Sequence, residues 1–165
     1  VDDRTSMKIR NYLLLNEGGK YRDATEEAGE GLALVESSRA AALEDFDNDG
    51  DLDIVIVNSD AAPNLLRNES ANENHWIQLK LSQAGANSAA IGARVTLSYN
   101  GQKQIREVVA GRGYQSHFGS ILHFGLGASE GNAEVTIRWP GGDLQSMEVP
   151  IDELTAIERD GKAVK

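Results

Sequence analysis

The chain contains no cysteine. Disulfides and thiolate metal sites are therefore excluded, and any cross-linking of loops has to come from packing or from hard-cation binding. No apolar run approaches the roughly 18 residues of a membrane span. Only three prolines interrupt the 165 residues. Basic residues are in the minority, and the formal net charge is −10. That deficit excludes nucleic acid as a partner, because phosphate binding requires a basic surface. The acidity is uneven: residues 1–70 hold 7 basic and 16 acidic side chains (−9), and residues 71–165 hold 9 and 10 (−1). The first residue is Val1, not Met. This start predicts a processed chain or a fragment of a longer one.

What is present in excess is carboxylate, and it is concentrated in Asp45-Phe46-Asp47-Asn48-Asp49-Gly50-Asp51-Leu52-Asp53. Carboxylates at alternate positions repel one another unless a cation sits between them. Hard divalent cations take oxygen ligands, and Ca²⁺ accepts about six to eight. The first half of the loop has EF-hand spacing, with Asp at positions 1, 3 and 5 and Gly at 6. Position 12, however, is Ile56 rather than the bidentate Glu, and the β-branched run Asp53–Asn58 follows where an EF-hand has a helix. The expected ligands are the side chains of Asp45, Asp47, Asp49 and Asp53, with the backbone carbonyl of Asp51, and the expected cofactor is Ca²⁺. Without the closing Glu or the helix, the loop reads as a structural pin rather than a sensor.

The remaining pattern is all-β. In the N-terminal part, Arg39–Glu44 and Asp53–Asn58 read as strands flanking the loop, the latter as a buried one. Asp23–Gly29 reads as a helical turn, with Asp23 and Glu26 in capping-box spacing. Leu13-Leu14-Leu15-Asn16-Glu17 partly recurs 52 residues later as Leu65-Leu66-Arg67-Asn68-Glu69, a spacing that suggests a repeated β unit. In the C-terminal part, strands are expected at 75–81, 91–99, 102–110, 120–124, 133–139, 143–149 and 154–158. Asn100-Gly101 marks a tight hairpin, and Pro140-Gly141-Gly142 marks a turn. Short strands with frequent turns predict an antiparallel sandwich or barrel-like domain.

The strand–acidic loop–strand pattern, with Asn11–Glu17 and Gly18–Thr25 before it, resembles the FG-GAP repeat of integrin α-chain propellers. The second half resembles the ASPIC/UnbV domain of cartilage acidic protein-like and many bacterial proteins. Its matching blocks are Asn74-His75-Trp76-Ile77, Ile91–Val95, Arg106-Glu107-Val108, Gly111–Ser116, Leu122–Gly127 and Arg138–Gly142. These resemblances imply two regions, 1–70 as a calcium-binding, partial propeller-blade region and 71–165 as an ASPIC/UnbV-like β domain. They also imply an extracellular or cell-surface protein without a known reaction. The chain departs from such arrays in having one complete repeat and the tail of another. A propeller closes with about four blades or more, so the exposed sheet edges call for cover by the second region or by another chain.

Catalytic constellations are not apparent. His75, His117 and His123 have no zinc-protease spacing, and Ser116 lacks a nucleophile elbow. Gly111-Arg112-Gly113 opens no helix, and its glycines are expected to supply special backbone angles. The chain is predicted not to be an enzyme. Arg94, Arg106, Arg112, Arg138 and Tyr114 are candidates for contact with an anionic sugar or a partner carboxylate, but for the arginines the first expectation is salt bridging to Glu107 and Glu134 across the sheet. Trp76, Tyr114 and Trp139 read either as a sugar platform or as core. Asn68-Glu69-Ser70 is a glycosylation sequon. The expected function is protein–protein contact in adhesion or self-assembly, by strand sharing into an oligomer or filament. The alternative is a carbohydrate-binding module.

Overall fold

The computed structural model describes residues 8–70, 73–114, 116–128, 131–161 and the backbone of 163–164. The expected boundary near residue 70 adjoins residues 71 and 72, which lie outside the described set.

The fold is all-β, as expected. The C-terminal part is a sandwich of two four-stranded sheets. One sheet runs β10 (Gln102–Glu107), β9 (Arg94–Tyr99), β12 (Ala133–Arg138), β13 (Leu144–Val149). The other runs β11 (Leu122–Gly127), β8 (His75–Ser82), β14 (Leu154–Glu158), β15 (Ala163–Val164). Period-two alternation turns Ile77, Leu79 and Leu81 of β8 inward against Val95 and Leu97 of β9, Phe124 of β11, and Val135 and Ile137 of β12, in one continuous core. Among the described residues neither sheet closes into a barrel. Among the described residues the pairing is antiparallel with one exception. The chain leaves β13, turns at Asp152 (φ 59°), and lays β14 parallel to β8. Asp152 fixes that crossing, because its N–H donates to the Trp76 carbonyl (2.8 Å) and its carboxylate accepts the Trp76 N–H (3.2 Å).

The N-terminal part holds a three-stranded antiparallel sheet of β5 (Ser38–Glu44), β6 (Asp53–Asn58) and β7 (Asn64–Leu66). Two two-stranded ribbons accompany it: β1 (Ile9–Arg10) with β4 (Val35–Glu36), and β2 (Leu14–Glu17) with β3 (Lys20–Asp23). The acidic loop is the β5–β6 connection. β6 is half-buried rather than buried: Ile56 is 4% exposed but Val57 is 49% exposed. The expected helical turn is a 3-10 turn over Thr25–Glu27. Asp23 does not cap an α-helix; it accepts the backbone N–H (2.9 Å) and the hydroxyl (2.5 Å) of Thr25. Glu26 pairs with Arg10 at 2.6 Å. The two recurrent segments behave alike at their asparagines. Asn16 Oδ1 accepts the Gly19 N–H (2.9 Å), and Asn68 Oδ1 accepts the Ser70 N–H (3.1 Å).

Candidate metal centre

Alternation along β8 also builds the seat of the acidic loop. Trp76 and Gln78 share the face of β8 opposite the core, and His123 of β11 is the cross-strand partner of Gln78. Gly125, opposite Trp76, leaves no side chain beside the indole. The loop lands on this platform. Gln78 Nε2 donates to Asp45 Oδ2 at 2.8 Å, and His123 Nε2 stands 2.8 Å from the Gly50 carbonyl oxygen. A carbonyl can only accept, so His123 carries its proton on Nε2. The Trp76 and His123 rings stack, with centroids 6.3 Å apart and planes 11° from parallel.

Within the loop, two residues take left-handed angles, Asn48 (φ 62°) and Gly50 (φ 96°). These wind the chain so that Asp45 can accept the N–H groups of Asp49 (3.2 Å) and Gly50 (3.0 Å). The same winding draws Asp45, Asp47 and Asp49 together, with one carboxylate oxygen of each inside 4.8 Å of the others. Three hard oxygens at that separation can hold a metal ion.

The other two predicted ligands lie outside this cluster. Asp51 donates its N–H to Asp49 Oδ1 at 3.0 Å. Asp53 is buried, and its two oxygens accept the N–H groups of Phe46 (3.0 Å) and Asn68 (2.8 Å). It ties the loop entrance to the segment after β7. Arg67, not singled out from the sequence, reaches the cluster: its Nε lies 2.6 Å from Asp47 Oδ2 and its Nη2 lies 3.9 Å from Asp49 Oδ2. It sits beside the recurrent Asn-Glu pair, and that adjacency was the available signal.

The arginine candidates separate into two groups. Arg94 and Arg138 are exposed cross-strand neighbours on the outer face of the first sheet. Arg106 and Arg112 line one cleft with Glu44 and Asp45. Arg106 lies 5.6 Å from the centroid of Phe124, and Arg112 lies 5.6 Å from that of Phe118. Among the described residues, none of the four has a carboxylate within the 4.0 Å of an ion pair, so the expected bridges to Glu107 and Glu134 do not form. Glu44 is held above the ordinary carboxyl range, chiefly by burial and against the pull of Arg112.

Tyr114 is 63% exposed, in the loop where Gly111 (φ 83°) and Gly113 (φ 76°) supply the angles expected of them. The aromatics do not assemble into one platform: Trp76 packs on Gly50, and Trp139 is a core residue donating to Gln145 Oε1 at 2.9 Å. The histidines are engaged in structural contacts. His75 Nδ1 is 2.7 Å from Asp152 Oδ2, and His117 Nδ1 accepts the Gly111 N–H at 3.2 Å. In the sequon, the Ser70 hydroxyl donates to Asn68 Oδ1 at 2.7 Å.

Residues 83–164 match the family described as ASPIC and UnbV. The ASPIC/UnbV match begins one residue after β8, so it leaves out Asn74–Ile77, although β8 is hydrogen-bonded between β11 and β14 in the same sheet. Cartilage acidic protein 1 of Mus musculus is 29% identical over 138 residues, covering 80% of this chain and 21% of that protein. The Homo sapiens protein of the same name gives the same identity and coverage. That of Xenopus tropicalis is 27% identical over 139 residues, 82% of this chain and 20% of the relative. The chain thus spans about a fifth of the length of these relatives. Among the described residues, no helix is long and apolar enough to cross a membrane.

Proposed function

We propose that this chain is a calcium-stabilised, extracellular, non-enzymatic β-module for protein–protein contact, built from an FG-GAP-like blade region (1–70) and an ASPIC/UnbV-like domain (71–165). The observation that carries the calcium reading is the convergence of Asp45, Asp47 and Asp49 on a loop clamped by Trp76, Gln78 and His123. Bound there, Ca²⁺ neutralises the repulsion among the three carboxylates and holds the loop, and with it Gly50, against the second sheet. Asp51 supplies its carbonyl and Asp53 its carboxylate as outer members of the same set. The extracellular reading draws on the similarity to cartilage acidic protein 1.

Protein contact is supported by exposed apolar side chains in the N-terminal part, including Ile9, Tyr12, Leu14, Tyr21, Val35 and Leu65. Such surface is characteristic of interaction sites. Further β units or identical chains sharing strands are the fitting cover. Asn68 is proposed as the glycosylated residue in sources that modify this sequon.

Calcium titration by calorimetry, combined with thermal melting, tests the reading. Calcium is expected to raise the melting temperature, chelator to lower it, and Asp47→Ala to abolish the difference. Identical melts of the wild type with calcium and with chelator overturn the metal assignment. Strictly monomeric behaviour in sedimentation at high concentration overturns self-assembly.

A further inference from the structure

The cleft between the N-terminal sheet and the sandwich has a volume of about 280 Å³. Its wall carries two guanidinium groups that, among the described residues, have no carboxylate within ion-pair distance, although Arg112 pulls electrostatically on the nearby Glu44 carboxyl. Arg106 is the cross-strand partner of the buried Val95, so it projects from the inner face of edge strand β10 and lies over the Phe124 ring. Arg112 comes from the glycine-flanked loop and lies over Phe118. That loop is fastened by mutual bonds, with the Arg112 N–H donating to the Ser116 carbonyl (3.0 Å) and the Ser116 hydroxyl donating to the Arg112 carbonyl (2.5 Å). Each guanidinium is thus positioned by an aromatic ring. Among the described residues, each makes a hydrogen bond only to a backbone carbonyl: Arg106 to Ile105 (3.1 Å) and Arg112 to Glu107 (3.5 Å). Most of their five N–H donors remain available to a ligand.

The rest of the lining is mixed. Glu44 offers acceptor oxygens, while Phe118 and Ile121 are apolar. Asp45 is already occupied by Gln78 and by loop N–H groups. A bare inorganic anion would use the arginines and meet Glu44 unfavourably. A group joining a carboxylate to several hydroxyls and an apolar ring face uses all three kinds of wall: a planar fork for the carboxylate, an acceptor for the hydroxyls, and apolar side chains for the C–H face.

We propose that this cleft binds a uronic-acid residue of an acidic glycan, with its carboxylate on Arg106 and Arg112 and its hydroxyls on Glu44. Asp45 of the proposed metal triad borders the cleft, but the proposed contacts are made by Arg106, Arg112 and Glu44 and not by Asp45. The test is titration of the full chain with an unsulfated uronic-acid tetrasaccharide, in calcium and in chelator, against a neutral tetrasaccharide, sulfate and a glutamate-rich peptide. Saturable binding of the uronic-acid probe alone is expected, and the Arg106→Gln/Arg112→Gln variant is expected to weaken it on the order of tenfold or more. Should that variant fail to fold, arginine Nε–H resonances of the wild type serve instead, and they are expected to shift with the uronic-acid probe and not with the neutral one. No binding, binding unaffected by the substitutions, or unmoved arginine resonances overturns the proposal. Equal binding of sulfate, or of the acidic peptide, overturns the glycan assignment in favour of a simple anion or a protein carboxylate. Calcium binding, measured separately on the same samples, reports on the loop: glycan binding with a calcium-silent loop upholds this site and overturns the metal reading.

Discussion

The indole of Trp76 occupies the space that a side chain on Gly50 would need: a Cβ built there stands 1.8 Å from the indole Nε1. Gly50 also holds a left-handed φ of 96°. Two independent causes therefore demand glycine at one position, backbone angle and packing. Gly50→Ala is expected to cost about 2–4 kcal/mol, the combined scale of backbone strain and overpacking. A double-mutant cycle separates the causes. On a Trp76→Ala background the steric part disappears, and the cost of Gly50→Ala falls to that of the backbone angle. Chemical denaturation of the four proteins measures it. An unchanged cost on the Trp76→Ala background would refute the packing account.

Arg67 competes for the oxygens that the proposed calcium site uses. Its guanidinium contacts Asp47 and Asp49 from an exposed position, where a screened ion pair contributes well under about 1 kcal/mol. Removing that competitor is expected to tighten calcium binding by about two- to fivefold in Arg67→Gln, with the larger gain at low salt. Calorimetric titration at two ionic strengths checks it. Weaker binding in the variant would mean that Arg67 supports the site instead of competing for it.

The pH response of the N-terminal part follows from Asp23. Its carboxyl is held below the ordinary range by accepting first the Thr25 hydroxyl and then the Thr25 backbone N–H. A depressed folded pKa favours folding above the unfolded value, near 3.9, and the contribution is lost as pH falls through the folded value. Thr25 is buried and accepts the Leu13 N–H (2.9 Å), so this turn anchors β2 and β3. Asp23→Asn is expected to reduce protection of the 13–25 amides in hydrogen exchange at pH 7. It is also expected to flatten the loss of protection that the wild type shows on acidification toward pH 3. Equal protection in both proteins at pH 7 would exclude the anchoring role.

Local signals in the sequence were read well where the chain decides its own conformation. Asn100 and Gly101 take φ of 47° and 73°, and β9 and β10 pair across them as a tight hairpin. The β-branched run after the loop is β6, at the expected bounds 53–58. The structure departs from those signals at an unforeseen local turn and where a partner distant in sequence intervenes. The strand expected from Ile91 starts at Arg94, because left-handed Ala90 (φ 53°) and Gly92 (φ 88°) form a turn there. For Arg94 the register does set the expected Glu107 opposite on one side, with Arg138 on the other, yet among the described residues no carboxylate comes within ion-pair distance of either arginine. The aspartate triad was legible because its members are two residues apart. The seat beneath it was not: Gln78 and Asp45 are separated by 33 positions, and His123 and Gly50 by 73. No spacing rule reaches that far.

Asp53 shows how a ligand expectation and a structural role can be told apart. Its carboxylate is buried and accepts two backbone N–H groups, those of Phe46 and Asn68, on either side of the loop sheet. Deleting it strands both donors, each at a cost of about 1–3 kcal/mol when buried. Asp53→Ala is therefore expected to lower the melting temperature whether or not calcium is present. Asp47→Ala removes an exposed carboxylate whose partner in the fold is the exposed Arg67, so its effect is expected to be confined to calcium-loaded protein. Thermal melting of both variants, in calcium and in chelator, distinguishes them. If Asp53→Ala melts like the wild type in chelator, its two hydrogen bonds carry no stability, and its place in the loop is that of a ligand alone.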